Sequence, residues 1–141
     1  MKKTLSKSDI KKLNSRVEEF GIVLGKKTQV EVVDNEIYYV DGMLALFELD
    51  STLLPTLKFI NSNPVSVKKV VVDMGAVKFV VNGADIMRPG IVETDLFEKN
   101  DFVVVVDEKN RKPLSICQAL YGSREIDEMN NGKVLKNIHY V

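Results

Sequence analysis

The chain has 141 residues, 45% hydrophobic and 28% charged, with 20 basic side chains against 20 acidic ones. That composition excludes a disordered tail, which would hold fewer apolar residues and a larger net charge. A single cysteine, Cys117, excludes an internal disulfide, and a single histidine, His139, excludes any motif that needs two.

No stretch approaches the roughly 20 apolar residues that span a bilayer. Met1-Lys2-Lys3-Thr4-Leu5 opens no signal-like apolar region. A cytoplasmic protein with no membrane contact is the expectation. Zero net charge also argues against a polybasic nucleic-acid binder. The neutrality is a cancellation, however. Residues 1–27 carry eight basic and three acidic groups, while residues 28–65 carry six acidic groups and one basic group. A local field can survive such separation over about a Debye length, ~8 Å in physiological salt. A solvated lysine face on a helix accounts for the first block equally well.

In chain order, Ile10, Leu13, Val17 and Phe20 share one helical face and predict a helix over about Lys7–Phe20. Ser6 with Asp9 resembles an N-cap pair, and Gly21 is a stop signal. Three strands follow: Gln29–Val33, Glu36–Val40 and Met43–Leu49. Asp34-Asn35 and Asp41-Gly42 are the turns, the second being the strongest hairpin signal in the chain. A short helix is expected over Leu53–Asn61, with Pro55 near its first turn. Asn61-Ser62-Asn63-Pro64 breaks it, and a domain boundary is placed near Ser66, giving domains 1–65 and 66–141.

The second half opens with a strand over Lys68–Asp73. Ala76–Val81 has strand propensity. Phe102–Val106 is a continuous apolar run of the kind buried on both faces, within a strand Asp101–Glu108. Lys109–Lys112 is a polar turn and Pro113–Tyr121 the returning strand. Ser123 is expected to cap a helix over about Arg124–Asn131, with Gly132 at its C-cap. A last strand is expected over Asn137–Val141.

Catalytic signals are sparse. The chain has no GxGxxG, GxxxxGK[ST] or CxxC pattern. Cys117 lies in the apolar strand Leu114-Ser115-Ile116-Cys117, where a cysteine behaves as a small hydrophobe rather than a nucleophile. Glu93 with Asp95, and Asp107 with Glu108, lie near turns and read as solvated acids rather than a tuned pair. A non-enzymatic protein with no cofactor and no metal is the expectation.

The informative segment is Asp73-Met74-Gly75-Ala76-Val77-Lys78-Phe79-Val80-Val81-Asn82-Gly83-Ala84-Asp85-Ile86-Met87-Arg88-Pro89-Gly90-Ile91. Gly75, Gly83 and Gly90 punctuate it. Glycines permit tight turns and also let a backbone approach a ligand closely. From pattern alone three ordinary turns are the simpler reading.

The arrangement Gly-Ala, apolar segment, Asn-Gly-Ala-Asp-Ile-Met, Arg-Pro-Gly-Ile resembles the PUA domain. The resemblance continues through the strands after Asp101, the Ser123–Asn131 helix and Asn137-Ile138-His139-Tyr140, covering about residues 66–141. It implies that Gly75–Val81 is helical and that the unit is a β pseudo-barrel. Leu53-Leu54-Pro55-Thr56-Leu57-Lys58-Phe59-Ile60, after a helix and a meander, resembles the pre-PUA domain. The implied class is α+β: an antiparallel meander with helices, then the PUA unit. This two-domain order is similar to small archaeal proteins related to the malignant T-cell amplified sequence family, whose eukaryotic members pair with the density-regulated protein and act on the small ribosomal subunit. One departure stands at the end. PUA domains often continue past His-Tyr, and here the last strand is expected to be short.

The resemblance implies RNA binding, with tRNA or ribosomal RNA as partner. Unpaired bases, shape and the 2′-OH are what proteins read on RNA, with basic groups on phosphates. The candidates are Gly83, Ala84 and Asp85 in the loop after the motif helix, Asp85 as an acceptor for base amino groups or as the cap of a local turn. Met87 is either an apolar contact for a base or core. Arg88, before Pro89-Gly90, is either a phosphate ligand or half of a surface ion pair. Lys78 projects from the motif segment, either toward RNA or as part of a solvated face, and His139 and Tyr140 flank the same groove or pack. The alternatives are an adaptor whose acidic residues 28–50 dock a basic partner, and an accessory RNA-binding subunit of an RNA-modifying enzyme.

Overall fold

A computed structural model describes residues 1–63 and 65–140. Residues up to Ser66 form one compact unit and those from Val67 onward form a second. Pro64, in the expected breaker, and Val141, in the expected last strand, lie outside the described residues.

The N-terminal unit opens with a strand that periodicity does not announce, β1 (Lys2–Thr4). Helix α1 (Lys7–Val17) follows. Its capping box is complete: Asp9 N–H donates to Ser6 Oγ at 3.1 Å, and Ser6 N–H donates to the Asp9 carboxylate at 3.4 Å. Ile10, Leu13 and Val17 are buried on the expected face. Phe20 sits beyond the α-helix in a 3-10 turn, Glu18–Phe20, closed by Gly21 at φ 70°. Strands β2 (Val30–Val33), β3 (Ile37–Val40) and β4 (Met43–Leu49) form the expected meander. Asp41 and Gly42 both have positive φ, as a two-residue turn compatible with strand twist requires.

The next element corrects the sequence reading. No helix starts at Leu53; Thr52–Pro55 is strand β5, paired with β4 from Leu49↔Thr52 to Leu46↔Pro55. Asp50 and Ser51 make the connecting turn at φ 48° and 67°. Pro55 is tolerated because β5 is an edge strand, where a missing N–H leaves no ladder bond unmade. Helix α2 (Leu57–Ser62) then starts from Thr56. The Thr56 hydroxyl accepts from Phe59 N–H at 3.1 Å and donates to the Leu44 carbonyl at 2.8 Å. The five strands lie in the order β1-β2-β3-β4-β5, all antiparallel, and Ile10, Leu13, Val30, Leu46 and Phe59 are among the residues of the core beneath them.

The separated charge blocks partly meet inside this unit. The Met1 ammonium pairs with Asp34, Lys2 with Glu31 at 2.9 Å, and Arg16 with Glu48.

The C-terminal unit begins with β6 (Lys69–Val72) and helix α3 (Met74–Val80). Strand propensity over Ala76–Val81 loses to local capping: the Asp73 carboxylate accepts from Ala76 N–H at 2.9 Å, and Gly83 N–H closes on the Val80 carbonyl at 3.0 Å. Two short strands absent from the sequence reading come next, β7 (Ile86–Met87) and β8 (Ile91–Thr94), joined by a 3-10 turn over Arg88–Gly90. Then come β9 (Phe102–Asp107) and β10 (Pro113–Ala119). Val103–Val106 are all buried, as expected for a two-faced strand.

Helix α4 (Ser123–Glu128) corrects a second expectation. Ser123 does not cap it. Its hydroxyl accepts from Phe97 N–H and donates to the Phe97 carbonyl, so a buried serine ties the helix to the preceding loop. The helix ends three residues early because Met129 is extended. Strand β11 (Lys133–Tyr140) is longer than expected, with 8 residues. The sheet order is β7-β11-β10-β9-β6-β8; among the described residues β6 and β9 pair in parallel and the other neighbours are antiparallel.

Three of the four acids near turns are bonded rather than merely solvated, and the fourth, Glu108, is exposed. Asp107 is buried, and its carboxylate accepts N–H bonds from Lys109, Asn110 and Lys112. These bonds, Asn110's first, hold it below the usual carboxylate range. Glu93 pairs with Arg111, and Asp95 accepts from Lys69 N–H.

Candidate nucleic-acid interface

The loop after α3 is held by one side chain the motif does not contain. Asn137, on β11, donates through its amide nitrogen to the Val80 carbonyl at 3.1 Å and the Ala84 carbonyl at 2.9 Å. Its backbone N–H donates to Asp85 Oδ1 at 2.8 Å. Asp85 Oδ2 faces Lys133 Nζ at 3.2 Å. The Asn137 N–H, and then Lys133, keep the Asp85 carboxyl below its ordinary value against the opposing effect of burial. Asp85 is therefore ionised at neutral pH, with one oxygen committed to the backbone and the other to a lysine.

Gly83 sits at φ 94°, and a Cβ built there would lie 2.8 Å from the Tyr140 ring. Glycine is needed twice over, for its backbone angle and for the ring that lies against it. Tyr140 is 48% exposed on its other side. Lys78 and Phe79 lie near the C-terminal end of α3, with Phe79 58% exposed and Lys78 Nζ 5.1 Å from its ring centroid. Ala84 N–H donates back to the Phe79 carbonyl, joining this end of the helix to the loop. Met87 is 51% exposed rather than core, and it stands opposite Lys133 in the β7–β11 register.

Lys78, Gly83, Ala84, Asp85, Met87 and Tyr140 are thus linked through α3, its loop and β11. Arg88 and Gly90 play a different part. Arg88 Nε donates to the Ile126 carbonyl at 2.6 Å, and a second guanidinium nitrogen to Ile91 at 3.4 Å. It is half-buried and tied to α4 rather than held in a surface ion pair. Gly90 packs against α3, a Cβ there lying 3.2 Å from Ala76 Cβ. His139 is half-buried opposite Ile116, and burial lowers its pKa, so the imidazole is neutral at pH 7.

Sequence reasoning missed Phe79, Asn137 and Lys133. A signal existed for Asn137: an amide in a strand is disfavoured unless its hydrogen bonds are used. Phe79 was hidden by the strand pattern around it, which made it one of several apolar residues.

The PUA domain model matches residues 68–141, more than half of the chain, and a domain of unknown function (DUF1947) matches residues 2–63. An uncharacterized protein of Methanocaldococcus jannaschii is 41% identical, over 97% of this chain and 90% of that one. Translation machinery-associated protein 20 of Saccharomyces cerevisiae is 35% identical, over 84% of this chain and 72% of that one. The solved structure of a conserved PUA domain protein from Thermoplasma acidophilum superposes with a TM-score of 0.86 at 26% identity, covering 99% of this chain and 93% of that one. The chain belongs to the PUA-domain family with an N-terminal DUF1947 unit, in the group that contains translation machinery-associated protein 20 and the malignant T-cell-amplified sequence proteins.

Proposed function

We propose that this protein binds RNA through the α3–loop–β11 surface and works in association with the translation machinery. The observation that carries the reading is the arrangement around Gly83. The loop, fastened by Asn137, bonds through Ala84 N–H to the Phe79 backbone and has the Tyr140 ring against Gly83; both rings are partly exposed, and Lys78 forms no ion pair among the described residues. Exposed rings stack unpaired bases, and a nearby ammonium meets phosphate. The names of the translation machinery-associated relatives support the cellular setting. Within it we infer contact with tRNA 3′ ends or ribosomal RNA on the small subunit, a partner similar to the density-regulated protein, and a cytoplasmic location. No helix among the described residues is long and apolar enough to cross a membrane.

We also propose that it is a binding protein rather than an enzyme. Cys117 is fully buried and its thiol is pushed up to about 12, which removes the thiolate a nucleophile needs. Of the acidic groups that resemble catalytic pairs, Glu93, Asp95 and Asp107 are occupied as hydrogen-bond acceptors or in ion pairs, and Glu108 is exposed. The adaptor reading based on acidic residues 28–50 loses support, because Glu31, Asp34 and Glu48 already face cations of their own unit.

The test is crosslinking of the tagged protein in its native cells, followed by sequencing of the recovered RNA. Enrichment of tRNA 3′ ends or small-subunit RNA supports the reading, and background recovery sinks it. In vitro, a Lys78→Ala/Tyr140→Ala variant should lose roughly tenfold in affinity for labelled single-stranded RNA, given ~1–3 kcal/mol per stacked base. Its melting temperature should stay within a few degrees of the parent, since both side chains are exposed.

A further inference from the structure

A second surface lies in the N-terminal unit, on residues that RNA binding at α3 does not use. Between α1 and the segment that follows the 3-10 turn runs a groove of about 590 Å³, lined by Lys7, Ile10, Lys11, Asn14, Leu24 and Lys26 among others. Its floor is apolar: Ile10 and Leu24 are buried beneath it. Lys7, Lys11 and Lys26 are exposed, and their ammonium groups make no hydrogen bond or ion pair among the described residues. Among the described residues, no acidic side chain lines the groove. Elsewhere in the unit Glu31 faces Lys2 and Glu48 faces Arg16.

The groove is also preformed. Asn14 clamps the segment to the helix, its amide nitrogen donating to the Leu24 carbonyl at 3.0 Å while Leu24 N–H donates to its oxygen at 2.7 Å. A site fixed in advance loses less ordering entropy when it binds. Beside Leu24, Val23 is 82% exposed, an aliphatic side chain left in water.

We propose that this groove docks an acidic amphipathic segment of a protein partner. Apolar side chains of that segment would lie over Ile10 and Leu24, and its carboxylates would meet Lys7, Lys11 and Lys26. Both halves of the chemistry are needed. A phosphodiester chain satisfies the lysines but leaves the apolar floor unused, whereas an amphipathic helix or strand uses floor and rim together. The partner is of opposite sign to the one an acidic meander would attract.

The test is an NMR titration of the intact chain with a synthetic peptide carrying leucines at i and i+4 flanked by glutamates. The backbone amides of Asn14 and Leu24 should shift, with those of Lys7 and Lys11. The Lys7→Glu/Lys11→Glu/Lys26→Glu variant should bind the peptide about tenfold or more weakly, from the loss and reversal of three rim charges, while melting as the parent does. A glutamate peptide without leucines should also bind at least about tenfold more weakly. Equal binding by that peptide, or by the charge-reversed variant, would overturn the proposal. So would a short RNA that shifts these amides when the leucine–glutamate peptide does not.

Discussion

Asn137→Asp is expected to destabilise the C-terminal unit by about 3 kcal/mol, more than the shorter Asn137→Ala, although it changes one NH2 for one oxygen. In the native protein the amide nitrogen donates to two carbonyls, those of Val80 and Ala84. A carboxylate oxygen in that place aims an acceptor at two acceptors, close to Asp85. Alanine only deletes the two bonds, at about 1–2 kcal/mol. It also removes the amide oxygen, which is buried with no hydrogen-bond partner, so part of its cost is returned. The aspartate variant adds the penalty of an uncompensated, partly buried charge. Its pH dependence has a definite sign. The introduced carboxyl should titrate above its unfolded value, so the penalty is full above its folded pKa and is relieved as pH falls through that value. Thermal melts of parent, alanine and aspartate variants at about pH 7 and pH 4 check the ordering. An aspartate variant as stable as the alanine one at neutral pH would show that Asn137 does not fasten the loop. RNA affinity should fall with both, since the loop between Phe79 and Tyr140 loses its tether.

Arg88→Ala is expected to cost about 2 kcal/mol, the scale of hydrogen bonds from a charged group to partly buried acceptors. For a unit of this size that corresponds to about 10 °C in melting temperature. The guanidinium joins the Arg88–Gly90 turn to the end of α4 through Ile126, 38 residues further on. From the sequence alone the same substitution would be expected to weaken RNA binding with no change in stability. The geometry reverses the weighting. Arg88→Lys separates the two roles, because lysine keeps the charge and cannot reproduce the Nε bond to Ile126 and the second bond to Ile91 together. Stability should fall while affinity for RNA is largely kept. A lysine variant that melts like the parent but binds poorly would return Arg88 to the binding surface.

The contrast at Arg88 shows what a sequence can and cannot convey here. Local chemistry was legible. The Ser6–Asp9 capping box and the Asp41-Gly42 turn are short-range patterns whose partners lie within four residues. The glycine-punctuated motif was legible as a family pattern, and it overrode the strand propensity of Ala76–Val81. The Asp50-Ser51 turn was not legible, because two non-glycine residues at positive φ carry no distinctive signature, and β5 was lost with it. Nor were partners remote in sequence: the Ile126 carbonyl for Arg88, Val80 and Ala84 for Asn137, Phe97 for Ser123. Each is a polar residue whose role depends on which backbone group the fold brings to it.

The strand order of the two sheets has a consequence for how the chain reaches this fold. In the N-terminal unit β2 to β5 are neighbours in sequence as in space, so the meander can zip from its turns. In the other unit β9 lies between β10 and β6, and its parallel pairing with β6 joins residues as distant as Lys69 and Val104. Long loops must close before such contacts reward the chain, which slows folding. Refolding from denaturant should therefore show a fast phase for the meander and a slower one for the second sheet. Between the two, the valine run of Val103–Val106 lacks its β6 neighbour, and that interval is when the protein is most prone to aggregate.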